Sequence, residues 1–367
     1  MALRITSDKG HVEGTVGFQA KEQLLTSGHL QVRAHKAKSQ FLTLPLNLYL
    51  EILSHFPVLP VPSEDSRQYD AAIFLSRKST LFALCKTCRC LRSVFRKHLY
   101  QRVEVYDGML TGNGPLPSIQ DLESSKPRDF LDRKYTVELV RQLETVTIRD
   151  PALAQYVNTL NVTIVDRSPL NILVELARCI ALLPNLYTVQ LLFTTPSAIN
   201  VASIFKKYQP YRQIRNICVA WQGIPFLAAC PNAQRIAPYQ GKSYQGFLSQ
   251  IILSCQHVKR LGYILFEPET PERISNSLID LDDITLDYSA FLRGYRYLSP
   301  LSTLYLQTIR IISLPRSEDS VRDKQDQEWI SLSARLLRAC PKNDSTKQEK
   351  RVLLYHLGSC VHQFIVH

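Results

Sequence analysis

The chain of 367 residues has no uncharged apolar run of 18 residues, and Met1 to Gly10 hold no apolar segment of the kind that directs secretion. Membrane spanning and export are therefore not expected, and the chain reads as intracellular, in cytoplasm or nucleus. It also lacks a Gly-rich phosphate loop, a Gly-x-Ser-x-Gly elbow and a His-Glu-x-x-His helix. Those absences remove the commonest readable enzyme classes. No dense block of one charge occurs either: 44 Lys and Arg against 32 Asp and Glu give a net charge of +12, scattered along the sequence. Such a balance favours encounter with acidic surfaces but supplies no basic stripe for nucleic acid.

Cysteine is present without forming a framework. Nine residues, an odd number mostly isolated within apolar runs, read as thiols kept reduced in the cell. Cys85-Lys86-Thr87-Cys88, with Cys90 and His98 nearby, offers one CxxC. No second CxxC or spaced His pair completes a zinc set, so one face of a buried helix is the expectation, with no metal and no cofactor. Asp282, Asp283 and Asp287 form the nearest carboxylate cluster, but they flank alternating apolar residues with no His partner assigned, and read as a solvated strand edge.

What is present is ordinary globular material: 45% hydrophobic and 21% charged residues, with 17 Tyr and 14 Phe for a packed interior. At this length the chain exceeds one compact core, so two domains, or one elongated repeat domain with an appendage, are expected. Residues 1–40 mix Gly, Ser, Lys, His and Gln without periodicity and read as a disordered, mildly basic arm. At Phe41-Leu42-Thr43-Leu44-Pro45 a proline suited to a first helical turn opens an apolar series. Leu48, Ile52 and Phe56, beside Tyr49 and Leu53, recur at helical spacing up to Pro57. A Pro/Ser-rich loop follows. Residues 71–99 are helical again, with Phe74, Leu81, Leu84, Cys88, Leu91 and Phe95 as apolar positions, and are expected to break into two or three helices. Val103-Glu104-Val105 alternates, and Gly, Pro and Ser then mark residues 106–135 as a linker.

Leu44-Pro45-Leu46-Asn47-Leu48-Tyr49-Leu50-Glu51-Ile52-Leu53-Ser54-His55-Phe56 resembles the opening of the F-box. Thr87-Cys88-Arg89-Cys90-Leu91-Arg92-Ser93-Val94-Phe95 and His98-Leu99-Tyr100 resemble that family's later helix. The resemblance spans residues 41–105. Its long internal loop and its ending are similar to the divergent F-box proteins abundant in mushroom-type fungi. It implies docking on a Skp-type adaptor, and through it on a cullin scaffold. It further implies that Leu44, Pro45, Leu48, Ile52, Leu53, Phe56, Cys88 and Leu91 form or support the adaptor-binding surface. A plain local core built from the same residues is the alternative.

From residue 136 onward an L-x-x-L-x-L type strand signature recurs. It falls at Val157/Leu160/Val162, Leu186/Val189/Leu191, Ile214/Ile217/Val219, Val258/Leu261/Tyr263, Leu281/Ile284/Leu286 and Leu301/Leu304/Leu306, with a degenerate copy at Ala233/Ile236. Leu182-Leu183-Pro184-Asn185, Ala229-Cys230-Pro231-Asn232 and Ala339-Cys340-Pro341-Lys342 echo one another where helices stop. The expected architecture is α/β: an all-helical F-box followed by an irregular leucine-rich-repeat-like solenoid over residues 136–367, with a C-terminal cap. An ordinary α/β domain with accidental spacing is the rival. Trp221, Tyr239, Tyr244, Tyr263, Tyr295 and Tyr297 are candidate recognition anchors, or else core and rim residues.

The resulting expectation is a non-catalytic substrate receptor of an SCF-type ubiquitin ligase, holding an unnamed protein target through the repeats. A repeat scaffold without ligase engagement is one alternative, motivated by Asn47 and the long loop. A nucleic-acid binder, motivated by the net charge and the tyrosines, is another.

Overall fold

The computed structural model describes residues 45–55, 71–106, 109–111, 114–116, 129–165, 170–193, 201–239, 246–264, 266–313, 319–341, 349–356 and 359–366. All of these fall within one compact unit, Leu44–His367. The arm read at residues 1–40 lies outside the described residues.

The architecture is α/β. Three helices lead: α1 (Leu46–Ser54), α2 (Ala71–Thr87) and α3 (Arg89–Leu99). The remaining strands build one ten-stranded open sheet. Its first strand is β1 (Arg102–Val105); β4 (Thr159–Ile164), β5 (Thr188–Phe193), β6 (Asn216–Val219), β7 (Arg235–Pro238), β8 (Arg260–Leu261), β9 (Asp283–Asp287), β10 (Thr308–Ser313), β11 (Lys350–His356) and β12 (Ser359–Val366) follow. They stand side by side in chain order. Every neighbouring pair is parallel except β11 and β12, which close the sheet as an antiparallel hairpin. Between strands the chain returns through helical segments, among them α4 (Asp129–Glu144), α5 (Leu170–Ala181) and, before β11, the 21-residue α6 (Asp319–Ala339). Parallel neighbours need such crossovers.

The apolar signature explains why the strands stack. Val157, Leu160 and Val162 are fully buried, as are Leu186, Val189 and Leu191, then Ile214, Ile217 and Val219, and then Leu281, Ile284 and Leu286. All belong to one continuous core. Each strand with its returning segment covers the apolar side of the next, so no strand could keep this face dry alone. A backbone device marks the period independently of side chains. The carbonyl of Gln101 accepts the N–H groups of both Asn158 and Thr159. The carbonyls of Asn158, Tyr187, Arg215, Gln234, Lys259 and Asp282 each repeat this with the next strand.

That ladder corrects the last repeat. The Asp282 carbonyl takes the N–H groups of Gln307 and Thr308, so the strand frame there is Leu306/Ile309/Ile311, all fully buried. Leu301 and Leu304 are buried too, but in the tight turn Ser299–Thr303 and just after it. Apolar residues three apart suit both settings, which is why spacing alone put the frame too early.

Two boundaries also shift. Arg102–Val105, read as the end of the F-box, pairs in register with Thr159–Val162 and begins the sheet. Within the stretch read as a linker, Tyr106, Met109, Leu116 and Tyr135 are buried in the main core, a small hairpin joins Leu110–Thr111 (β2) to Gly114–Pro115 (β3), and α4 starts at Asp129. Turn-forming composition predicted exposure, and the interspersed aromatic and aliphatic side chains overrode it.

Candidate functional site

The N-terminal helices form a small cluster of their own. Pro45 caps α1, its carbonyl accepting from the Leu48 N–H at 3.0 Å. Tyr49 points inward, is 5% exposed, and meets Phe95 of α3 edge to face at 6.0 Å. Leu81, Cys85, Leu91 and Phe95 complete the buried group, with Ile52, Leu53, Leu84, Cys88, Val94 and Leu99 packed around it. A core this small stabilises a helical unit only marginally. Leu48, one residue before the buried Tyr49, is 46% exposed.

The break between α2 and α3 is made by Cys88. Its backbone is extended, and its Sγ accepts the Leu91 N–H at 3.4 Å, so the thiol serves as the N-cap of α3. The Arg92 Nε reaches back to the Cys85 carbonyl at 3.0 Å across the same corner. Cys85 is buried while Cys90 is exposed. Among the described residues no group of three or more His, Cys, Asp and Glu could hold a metal.

The predicted adaptor residues therefore divide. Pro45 and Leu48 are exposed, Ile52, Leu53 and Cys88 are half-buried, and Leu91, at 2% exposure, belongs to the interior. Leu44 and Phe56 lie outside the described residues. The sequence missed Phe82, whose ring is 49% exposed on α2 with the Lys86 ammonium 4.2 Å from its centre. An exposed aromatic at that position carries no periodic signal.

Charged groups cluster where α2 and α3 meet β1 and α4. Arg96 of α3 pairs with Asp150. Arg102 Nε donates to Glu104 at 2.5 Å, and both side chains are largely buried. Arg141 grips Glu138 with two bonds of 2.6 and 2.7 Å. Burial draws the Lys78 ammonium of α2 down, and the nearby Glu104 and Glu138 carboxylates draw it back up. Burial alone would push the Glu138 carboxyl up, yet hydrogen bonds from Arg141 and Gln142 and the charges of Arg141 and Lys78 hold it below its usual range.

A second surface is the sheet face opposite the core, where the alternate strand residues stand. Over β4 to β6 it carries Thr159, Asn161, Thr163, Thr188, Gln190 and Asn216, all buried. Asn216 Nδ2 donates to Thr188 Oγ1 at 3.0 Å, whereas both amide atoms of Asn161 and the Thr163 hydroxyl have no hydrogen-bond partner. Over β7 to β11 the same face becomes ionic. Arg310 forms a forked pair with Asp283 at 2.9 Å, and Arg260 approaches the same carboxylate at 3.7 Å. Asp282 and Asp283 thus stand among cations, and burial and the charge of Asp283 push the Asp282 carboxyl up.

Of the aromatic anchors, Trp221 is 42% exposed. Tyr295 and Tyr297 pack against the main core, the Tyr297 hydroxyl donating to the Glu267 carbonyl. Tyr239 and Tyr263 are half-buried, and Tyr244 lies outside the described residues. No protein-family model and no curated protein matches the chain. Among the described residues no helix is long and apolar enough to cross a membrane.

Proposed function

We propose that the protein is an F-box-type substrate receptor: α1 to α3 dock on a Skp-type adaptor, which links to a cullin, and the sheet is a leucine-rich-repeat-like solenoid that holds a protein target. The observation that carries the docking half is Leu48. It stands 46% exposed on α1 beside the inward Tyr49, and although exposed leucines such as Leu253 and Leu292 are ordinary on this surface, Leu48 falls where the F-box resemblance puts adaptor contact. The repeat half is supported by strands in chain order, buried signature positions and the recurring two-donor carbonyls. The receptor itself contributes proximity and orientation, with transfer performed by the enzyme it is brought to.

Co-expression with a Skp-type adaptor tests the reading. The wild-type chain should co-purify with it, and Leu48→Asp, at an exposed position, should weaken this strongly while the chain stays folded. A folded chain that never retains the adaptor refutes it, and adaptor retained without cullin leaves a repeat scaffold.

A further inference from the structure

The charge on the sheet face opposite the core is unevenly placed. In register across adjacent strands stand Arg235 of β7, Arg260 of β8, Asp283 of β9, Thr308 of β10 and Arg351 of β11. Arg310, one step further along β10, leans back onto Asp283. Like charges directly opposite on neighbouring strands repel, and Arg235 and Arg260 are such a pair. Asp283 is already shared by Arg260 and Arg310, whose side chains are 19% and 14% exposed. Lys259 is exposed just before β8, and it and Arg235 both act on Asp282. Five cations, Arg235, Lys259, Arg260, Arg310 and Arg351, stand against the four carboxylates Asp282, Asp283, Asp287 and the exposed Glu349. Arg235 is exposed and Arg351 half-buried, so both can be reached from solvent.

We propose that this face over β7 to β11 binds an acidic, extended protein segment with two carboxylates about four residues apart, one at Arg235 and Arg260 and the other at Arg351. The spacing follows from the sheet. Three strand steps of ~4.8 Å separate β8 from β11, roughly 14 Å, and four residues of extended chain at ~3.3 Å each cover about the same span. Of the three residues between them, the one over Asp283 must not be acidic. That requirement selects a peptide over a nucleic acid, whose unbroken phosphates would run across the carboxylate. Arginine forks suit carboxylates in two-point contact. The inference rests on reading the sheet as the target-binding part and is independent of adaptor docking.

The test uses the full chain and fluorescence anisotropy with three labelled Ser/Gly peptides. One carries two glutamates separated by three residues, one has them adjacent, and one has glutamines instead. A thymidine oligonucleotide is the fourth probe. The spaced peptide should bind most tightly, weaken as salt rises, and lose roughly tenfold or more with Arg235→Gln plus Arg351→Gln, as expected for charge-assisted contacts. Arg260 and Arg310 are left intact so that Asp283 keeps its partners, and unchanged melting of the double variant verifies folding. Equal binding of the spaced and glutamine peptides, no loss in the double variant, or tighter binding of the oligonucleotide overturns the proposal. The two surfaces separate cleanly: Leu48→Asp should leave peptide binding intact, and the arginine variants should leave adaptor binding intact.

Discussion

Gln142 closes the first edge of the sheet with one side chain. Its Oε1 accepts the Glu104 N–H at 3.0 Å and its Nε2 donates to the Glu104 carbonyl at 2.8 Å, so the amide imitates a neighbouring strand. An unpaired edge invites pairing with another chain. Gln142→Leu should lower stability by about 1–3 kcal/mol, the cost of leaving buried backbone groups unsatisfied, and should speed hydrogen exchange at the Glu104 amide; unchanged exchange there would contradict the assignment. Thiols make a second prediction at this scale. Burial pushes Cys179 and Cys340 up to about 11 and Cys255 to about 12, and Cys230 well above its ordinary value. Because the thiolate is the reactive form, iodoacetamide at mildly alkaline pH should alkylate the exposed Cys90 first and spare those four until the protein unfolds, a pattern peptide mapping would reveal.

At the scale of elements, α3 carries a built-in sensitivity to acid. His98 is half-buried, its Nε2 has no hydrogen-bond partner, and its Nδ1 lies 3.4 Å from Gln101. Burial, then the charges of Lys97 and Arg77, draw its pKa below the ordinary 6.5, with the Gln101 contact opposing them. A histidine depressed on folding contributes stability above its unfolded pKa and loses it as pH falls below. Melting should therefore drop between pH 7.5 and pH 5, and His98→Gln should flatten that drop; an equal drop in the variant would refute the role.

Elements were also where the sequence was most legible. The helical stretch 71–99, expected to break into two or three helices, follows from apolar periodicity and forms two, Ala71–Thr87 and Arg89–Leu99. The echoing Pro-Asn junctions have a physical reason, since Asn185 and Asn232 each donate from Nδ2 to a main-chain carbonyl of the preceding repeat, at 2.7 and 3.0 Å. Gln142 was not legible because it acts across 38 residues of chain, and Phe82 and the Cys88 cap were not because a single residue acting locally carries no periodic signal. The arginine face was hidden for a related reason: Arg235, Arg260, Arg310 and Arg351 are far apart in sequence and meet only through strand register.

For the whole molecule, the separation between what folds it and what it presents is the central claim. Leu91 and Tyr49 hold the helical unit from within, at 2% and 5% exposure, while Leu48 faces outward. Leu91→Ala should cost about 2–5 kcal/mol of stability, as truncated core leucines do. Leu48→Asp should cost little stability and act on binding instead. The most direct measurement is calorimetric titration of a purified Skp-type adaptor into the full chain and into its Leu48→Asp variant. The wild type should bind, and a variant that remains folded should bind at least tenfold more weakly, since losing one buried leucine contact of about 1.5–3 kcal/mol suffices for that. Equal affinity in both chains, or none in a folded wild type, would contradict it.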